Sequence, residues 1–430
     1  MNLHLFLGFL VGLLFLMPYS LNAQTAPAAT SPTVPFPFEA FLAEVAQNNL
    51  EYAAQRYNVS IAQAQLARAR VFPNPILAAG TWQDVTGQNM PSSLNLGVTQ
   101  TFLTGGKRLA GIEVAVKNYK VAGATLDDFF RNLRAAAANA FVEALAAQLI
   151  VEQKARSAAS LERLVEANEE RFRAGDLAEI DVIQSRVEAR QFQSELLAAQ
   201  SNLQAAVIAL SQFLGEDRRS VAIAPLGRLE VPAKTYILDE LVAEALEKRA
   251  DVVSAWQALE ASRSGVKLAK ANRIPDVDIG LGWQRYSAST NEIAPSPQYD
   301  QIGLSASMAI PVFNTLRAEL DMARFASLQA EKNWQRARLK AEVEVRQAYA
   351  RYQLATARVA KYKEGALQDS ADVLEAKLYS YQRGQTSLLE VLNAQRAENN
   401  INLAYYDTLT EYAKAMVALE QAAGIWGLSF

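Results

Sequence analysis

The sequence has no cysteine and a single histidine, His4, among its 430 residues. The absence of cysteine excludes a fold stapled by disulfides and a metal centre ligated by thiolates. Neither sign of charge predominates, because 42 basic and 45 acidic residues give a formal net charge of −3. A nucleic-acid partner is therefore not expected, since binding phosphates requires a concentrated positive face. The hydrophobic content of 50% is nonetheless sufficient for a folded core.

Motifs of catalysis are also missing. Neither a Gly-rich phosphate loop nor a GxSxG nucleophile motif occurs, and the Gly105-Gly106 pair lies at a predicted junction between a strand and a helix. The one imidazole is at residue 4, in a segment that we expect to be removed before the protein works. We therefore predict no catalytic residues, no metal site and no cofactor, and we do not expect an enzyme.

The N-terminus carries the longest apolar run. Residues 1–23 have an apolar centre that is interrupted by Pro18 and ends at the small residue Ala23. This pattern favours a signal peptide over a membrane-spanning helix, which needs about 20 apolar residues. Residues 24–37 are rich in Ala, Pro and Thr, which predicts a flexible tether. Later stretches are too polar to be predicted as membrane-spanning helices.

The remainder of the chain contains an internal repeat. A constant offset pairs glycines and acidic residues of the two halves: Gly175 with Gly384, Asp181 with Glu390, and Gly215 with Gly424. Self-similarity of this kind indicates two copies of one structural unit. The predicted division is a first repeat at 38–215, a linker at 216–237, a second repeat at 238–424 and a C-terminal tail at 425–430.

Each copy shows the same sequence of hydrophobic periods. A helix is predicted first, then a β-hairpin, a very long helix, a Gly-centred tip and a returning helix. In the first copy these are 39–70, about 73–104, 107–173, 171–176, and a helix back to 215. In the second copy they are 238–271, about 275–313, 316–383 with a break or two allowed, 380–386, and a helix back to 424. The chain is therefore predicted to be mainly α with a small β part.

The strands of the second hairpin alternate between apolar and polar or glycine residues. The apolar face carries Val277, Ile279, Leu281, Ile302 and Leu304. Strands of about ten residues with one apolar face fit an outer membrane, so these five side chains are predicted to face lipid. Four strands cannot close a barrel, and open edges are not tolerated in lipid, which points to several copies sharing one barrel. A soluble β-layer at the end of a helical bundle remains the alternative.

The element order and four short stretches together resemble the TolC family of outer-membrane efflux factors. The stretches are RADVV at 249–253, IPVFN at 310–314, TFLTGGKR at 101–108 and RFRAGD at 171–176. The last two resemble the heavy-metal branch that works with cobalt-zinc-cadmium pumps. The resemblance implies a homotrimer in the outer membrane of a Gram-negative-type cell, with a shared 12-strand β-barrel in lipid and a 12-helix α-barrel in the periplasm.

The same resemblance implies a function and partners. The expected function is the exit duct of a tripartite efflux system, passing substrates that include heavy-metal cations. The expected partners are a periplasmic adaptor and an inner-membrane pump of the resistance-nodulation-division type. A type I secretion exit duct is an alternative within the family. A periplasmic coiled-coil adaptor or scaffold is the alternative from another class.

Site residues follow from the family motifs. The tips that would meet the adaptor carry Phe172, Arg173, Gly175, Tyr381, Arg383 and Gly384. The aperture and its gate would involve Asp181, Tyr381, Glu390 and Asn393, with Tyr381 bonded to Asp181 as a latch. Thr386 replaces an arginine that helps to lock the aperture in the family. Asn393 stands at the second position of an acidic ring, so this ring would carry half the family's charge.

Overall fold

The computed structural model describes residues 34–85, 89–215, 223–293 and 295–430, and this part of the chain is mostly helical. The predicted signal peptide at 1–23 lies outside the described residues. Strand β1, Val34–Pro37, pairs in parallel with β4, Ile223–Leu226. Phe36 of β1 is buried in the main core. The prediction of a flexible tether is therefore wrong for residues 34–37, and the predicted linker contains a strand.

The two halves contain the same order of elements. The first half contains α1 Phe38–Asn48, α2 Leu50–Arg70, β2 Ile76–Trp82, β3 Ser93–Phe102, α3 Lys107–Ala174 and α4 Glu179–Ser211. The second half contains α5 Leu238–Lys248, α6 Ala250–Asn272, β5 Val277–Tyr286, β6 Tyr299–Met308, α7 Arg317–Lys361, α8 Leu367–Gln382 and α9 Leu388–Ala423. In each half two helices lead into a hairpin, which is followed by a long helix and a returning helix.

The first helix of each half is divided, contrary to the prediction of single helices at 39–70 and 238–271. Asn49 separates α1 from α2, and Arg249 separates α5 from α6; their backbones are extended, with ψ of 119° and 127°. The Asn49 side chain accepts a hydrogen bond from the Tyr52 amide at 2.9 Å and so caps α2. Neither break contains proline or glycine, and local sequence therefore did not reveal them.

The long helices of the two halves differ. Helix α3 is continuous over 68 residues. The corresponding stretch of the second half is interrupted between α7 and α8 by a kink at Tyr362–Ala366, where Gly365 has a φ of +154° and leaves the helical conformation. Glycine tolerates this backbone conformation because it has no side chain, and glycine is a common cause of helix kinks.

The four hairpin strands form one antiparallel sheet in the order β2-β3-β5-β6. Its register aligns apolar residues in rows across all four strands, as in Leu77, Val98, Leu281 and Leu304. The adjoining row on the opposite face consists of Ala78, Gly97, Gly282 and Gly303. The predicted alternation is thus confirmed. Strand β6 ends at Met308, so the predicted hairpin, about 275–313, extends beyond the observed strand.

The helices follow the same lateral order as the strands. Helix α3 packs against both α2 and α6, and α6 packs in turn against α7. Each of these helices adjoins one strand of the sheet through a short connection. At the other end of the molecule α3 packs against α4 and α9, and α9 packs against α8. The chain is therefore one layer of long helices continuing into one layer of strands.

The main hydrophobic core lies where helices of both halves overlap midway along the molecule. It is built around Phe38, Phe41, Phe141, Leu409 and Met416, with alanines allowing close packing between them. An 18-residue window of α3 reaches a mean hydropathy of 1.3, enough by length and composition to cross a membrane, although later stretches were predicted to be too polar. This window is 44% buried within the chain.

The C-terminal tail also belongs to the main core. Leu428 is buried, and the ring of Phe430 lies 4.9 Å from the ring of Phe38 in an edge-to-face contact. The Arg134 guanidinium stacks over the Trp426 ring with 4.0 Å to its centroid. The tail thereby ties the end of the second half to helices α1 and α3 of the first.

Candidate functional site: helix turns, aperture residues and apolar sheet face

The turns at Gly175 and Gly384 have the same backbone geometry. Both glycines are left-handed, with φ of +84° and +71°. The amide of Asp176 donates to the carbonyl of Arg171 at 2.8 Å, and the amide of Gln385 donates to that of Ser380 at 2.9 Å. Hydrogen bonds across six residues that enclose a left-handed glycine form a Schellman motif. The two predicted tips are therefore tight helix–helix turns of one design.

The remaining tip residues present aromatic and basic groups to solvent. Phe172 is 43% exposed, and Arg173 lies 4.0 Å from Glu169 in a weak ion pair within α3. The Arg383 guanidinium stacks on the Tyr379 ring, 4.0 Å from its centroid. Cations held over aromatic faces keep their charge accessible while burying little polar surface. These residues form a projecting surface that a partner could contact.

Tyr381 differs from the other tip residues because it is buried. It packs with Leu388 and Val391 in a second, smaller core just behind the turns. Its phenol donates a hydrogen bond to Oδ1 of Asn168 at 2.9 Å, and the Arg171 guanidinium lies over its ring at 5.1 Å. Burial raises the pKa of the Tyr381 phenol, which therefore stays neutral at physiological pH.

The predicted hydrogen bond between Tyr381 and Asp181 is not formed. The phenol bonds Asn168 of α3, while Asp181 lies in the first turn of α4, where its amide donates to the Ala178 carbonyl at 3.1 Å. Its charge still contributes to the raised pKa of Tyr381, after the larger effect of burial. A carboxylate at the N-terminus of a helix is stabilised there by the helix dipole. The amide of Asn168 thus replaces the expected acid as the partner of Tyr381.

Glu390 does not carry a free negative charge. Its Oε2 accepts hydrogen bonds from Lys377 at 2.5 Å and from Thr386 at 2.7 Å. These bonds lower the pKa of the Glu390 carboxyl, with Lys377 the larger contributor. Thr386, at the position of the missing lock arginine, therefore binds within its own turn. A ring of Glu390 side chains would also contain the paired Lys377 side chains, so its net charge would be close to zero.

Polar contacts join the two halves along α3, α4 and α9. Arg396 of α9 binds both carboxylate oxygens of Glu188 on α4, although Glu188 is almost fully buried. Asn399 is also buried and meets the Ser157 hydroxyl at 3.4 Å, whereas Asn393 is exposed. Asn168, Lys377 and the Glu188–Arg396 pair were not among the predicted site residues. Only Lys377 and Glu390 had a local signal, since they lie at nearly equal distances from the Gly384 turn.

The apolar face of the sheet is exposed to an unusual degree. Leu281, Ile302 and Leu304 expose 60%, 79% and 80% of their surfaces, and Ile279 exposes 41%. Val277 is at the same face, in the row of Phe102 and Met308. The opposite face carries glycines and hydroxyls, and the Thr101 hydroxyl there donates to Asp278 at 2.5 Å. One face thus suits an apolar medium, and the other suits water.

Metal ligands are not clustered in the part of the chain that the structure describes. Across residues 34–85, 89–215, 223–293 and 295–430, no three His, Asp or Glu side chains converge in a way that could hold an ion.

Long helices in one layer, continuous with a sheet that is apolar on one face, define a conduit-type membrane protein. The sequence pattern of the family described as outer membrane efflux protein matches residues 42–216 and 241–425. The chain belongs to the outer membrane efflux protein family. The channels of this family are not enzymes, and the chain is an outer-membrane efflux channel protein with its helices in the periplasm.

Individual relatives agree with this assignment. The chain is 24% identical over 390 residues to the cobalt-zinc-cadmium resistance protein CzcC of Cupriavidus metallidurans, covering 91% of this chain and 90% of that one. It is 29% identical over 335 residues to the nickel-cobalt-cadmium resistance protein NccC of Alcaligenes xylosoxydans xylosoxydans, covering 74% and 69%. Among solved structures, the fold matches CusC with a TM-score of 0.76 at 18% identity, covering 95% of this chain and 97% of that chain.

Proposed function

We propose that three copies of this chain form one continuous exit duct for heavy-metal cations, from a periplasmic adaptor and pump to the cell exterior. Channels of the family are homotrimers that work with adaptor proteins and pumps of the resistance-nodulation-division type. The observation that carries the proposal for this chain is the shared lateral order of strands β2-β3-β5-β6 and helices α2-α3-α6-α7.

That order leaves matching open edges. In the four-stranded sheet β2 and β6 are the outer strands, and lipid does not tolerate unpaired strand edges. Pairing β6 of one copy with β2 of the next would close three sheets into twelve strands, wide enough for a conduit. The edge helices likewise expose apolar residues: Tyr57 and Ile61 on α2, and Phe325 and Leu328 on α7. These faces would pack against neighbouring copies and close a tube of twelve helices.

The two halves would contribute equivalent parts of this tube. The family pattern matches each half separately, and both halves have the same order of elements. A tandem duplication explains both observations. Each repeat then supplies two strands to the barrel, one helical hairpin to the periplasmic tube and one Gly-centred tip.

The tips are proposed as the contact with the adaptor, and the residues behind them as the gate. Phe172, Arg173 and Arg383 project at the turns that Gly175 and Gly384 form. Tyr381 would hold the tips closed through Asn168, because this bond joins helices of the two repeats. Glu390 and Asn393 are exposed on α9 just beyond the second turn, where they would line the narrowed end of the duct.

The cargo is proposed from the names of two relatives, both of which are resistance proteins for cobalt, cadmium and either zinc or nickel. The absence of cysteine, and of histidine beyond residue 4, leaves few soft ligands for a selective metal site in the duct wall. Selection among cations would therefore take place in the pump, and this chain would supply an aqueous path.

The test combines assembly with transport. We expect the detergent-solubilised particle to have about three times the mass of the mature chain and to form ion-conducting pores in planar bilayers. Cells without the chain should accumulate cobalt, zinc or cadmium, and the restored chain should reverse this. A monomeric particle that forms no pores would disprove the duct. Pores without any effect on metal accumulation would disprove only the cargo.

A further inference from the structure

A groove of about 370 Å³ lies between α3 and α8, just behind the tips. Helix α9 packs against both helices. One face of α3 contributes Arg163, Asn168 and Arg171, and α8 contributes Leu378 and Gln382. The groove is therefore a surface recess lined by residues of α3 and α8, and Tyr381 is the one predicted tip residue among them.

The groove is rich in cationic and hydrogen-bond-donating groups. Two guanidinium groups line it, and among its lining residues in the described chain none is acidic. Nε of Arg163 donates to the Ala159 carbonyl at 3.3 Å within α3, and the residue is otherwise exposed. Leu164 and Leu378 add an apolar portion. Such a surface is complementary to a carboxylate attached to an aliphatic stem.

Asn168 provides a second and independent indication of a ligand. Its side chain is fully buried, and its Oδ1 accepts the hydrogen bond from Tyr381. Within the described residues its Nδ2 is buried without a hydrogen-bond acceptor. Buried amide donors are nearly always paired, so an acceptor supplied from outside the chain would be favoured here.

We propose that the adaptor presents a helical hairpin to this groove and that the groove binds an acidic side chain at the hairpin's turn, one site in each subunit. The proposal rests on the proposed function as a duct that meets an adaptor. The carboxylate would lie between Arg163 and Arg171, and a neighbouring carbonyl of the hairpin turn would accept the hydrogen bond from Asn168. The leucines would pack against the stem of the acidic residue.

Docking in this groove would also act on the gate. Arg171 and Asn168 both contact Tyr381, through a cation–π contact and a hydrogen bond. A carboxylate that draws Arg171 and Asn168 toward the groove would weaken these contacts with Tyr381. Because coupling between two equilibria is reciprocal, a duct held open would bind the acidic hairpin more tightly.

The test uses trimers in lipid nanodiscs and three synthetic helical hairpins that differ only in having Glu, Gln or Lys at the turn. Fluorescence anisotropy should show that the Glu hairpin binds about tenfold more tightly than the Gln hairpin. Arg163→Glu should abolish this preference and favour the Lys hairpin, and Arg163→Gln should remove the preference without reversing it.

Arg190→Glu is the matched control. Arg190 is exposed on α4 and does not line the groove. Gln193, three residues from Arg190, donates a hydrogen bond to Glu162, the neighbour of Arg163, so the two arginines lie at similar distances from the tip. This variant should bind the Glu hairpin as tightly as the unaltered trimer does. The proposal is overturned by failure of the Glu hairpin to bind, by equal binding of the Glu and Gln hairpins, or by equal loss in Arg190→Glu. If the same trimers still conduct ions, the proposed duct stands and only the proposal about the groove fails.

Discussion

Asn49 and Arg249 occupy equivalent breaks between paired helices, and each donates a hydrogen bond to a carbonyl near the end of the returning helix of its own half. Nδ2 of Asn49 lies 3.2 Å from the Phe213 carbonyl, and Nη1 of Arg249 lies 3.0 Å from the Ala422 carbonyl. The two acceptors have the same separation in sequence as Gly215 and Gly424. In each half, one side chain therefore joins the start of the repeat to its end through a hydrogen bond.

Arg249 should matter more to stability than Asn49. It is 1% exposed, and it also binds the carboxylates of Asp251 and Glu344. Arg249→Met would leave Asp251 without its cation and Glu344 with Lys340 alone, 3.6 Å away, and should lower the free energy of unfolding by about 3 kcal/mol. Asn49→Ala should cost about 1 kcal/mol. Thermal unfolding in detergent, followed by circular dichroism, measures both; equal losses would contradict the comparison.

The two faces of β6 should tolerate charge differently. Leu304 lies in the apolar row of the sheet, and its neighbour Ser305 lies on the face of glycines and hydroxyls. An arginine facing lipid at the bilayer midplane costs about 2–4 kcal/mol, whereas an arginine facing the lumen remains in water. Leu304→Arg should therefore reduce the yield of assembled trimer, and Ser305→Arg should not. Equal yields would show that the apolar face is not in lipid.

The tip glycines are required for their backbone angles, not for lack of space. A Cβ built at Gly175 or Gly384 would meet no described heavy atom within 4 Å, but both residues have positive φ. A left-handed conformation costs about 1–2 kcal/mol for a residue with a side chain, and more for a β-branched one. Gly175→Val or Gly384→Val should therefore distort the tips and reduce efflux while trimers still form.

Gly123→Val is the control for this prediction. Gly123 lies inside α3, has ordinary helical angles and has equally open space around the added Cβ. It should leave efflux unchanged. Normal efflux by the two tip variants would show that the turns are not needed for transport. Loss of the trimer in these variants would show that the turns have only a structural role.

The bond between Tyr381 and Asn168 should help to keep the duct closed. Tyr381→Phe removes the phenolic hydroxyl and leaves the buried Oδ1 of Asn168 without this donor. The closed state should lose about 1–3 kcal/mol of stability as a result. Single-channel recording should show a higher open probability. Asp181→Asn is the control, since Asp181 does not bond the phenol. A larger effect of Asp181→Asn would show that Asp181, not Asn168, is the residue that keeps the duct closed with Tyr381.

The selectivity of the aperture should depend on the pair formed by Lys377 and Glu390. Lys377→Met would free the charge of Glu390 and should raise the preference for cations in bilayer conductance. Glu390→Gln would leave Lys377 unpaired and should shift the preference toward anions. The pKa of Glu390 is lowered by its bonds to Lys377 and Thr386. It should therefore stay ionised down to a pH below the ordinary range of Glu, and below that pH the unpaired charge of Lys377 should shift the preference of the unaltered duct toward anions.

Much of the fold could be predicted because it depends on periods within single segments. The alternation at Ile279 and Leu281 predicted the strand faces. The turns were predicted from Gly175 and Gly384. The breaks at Asn49 and Arg249 could not be predicted, because the side chains contact residues more than 160 positions away. The same holds for Asn168, which is 213 residues from Tyr381. Contacts of this kind depend on the relative register of α3, α8 and α9, which no local pattern encodes.

The kink at Tyr362–Ala366 limits the symmetry of the whole assembly. Two similar repeats in each of three subunits would otherwise give a tube with nearly sixfold symmetry. The kink interrupts α7–α8 but not α3, so the proposed trimer has alternating intact and interrupted helices around its circumference. A surrounding ring of six identical partner molecules would then meet two different binding environments, three of each. Partners should accordingly dissociate in two kinetic phases of equal amplitude.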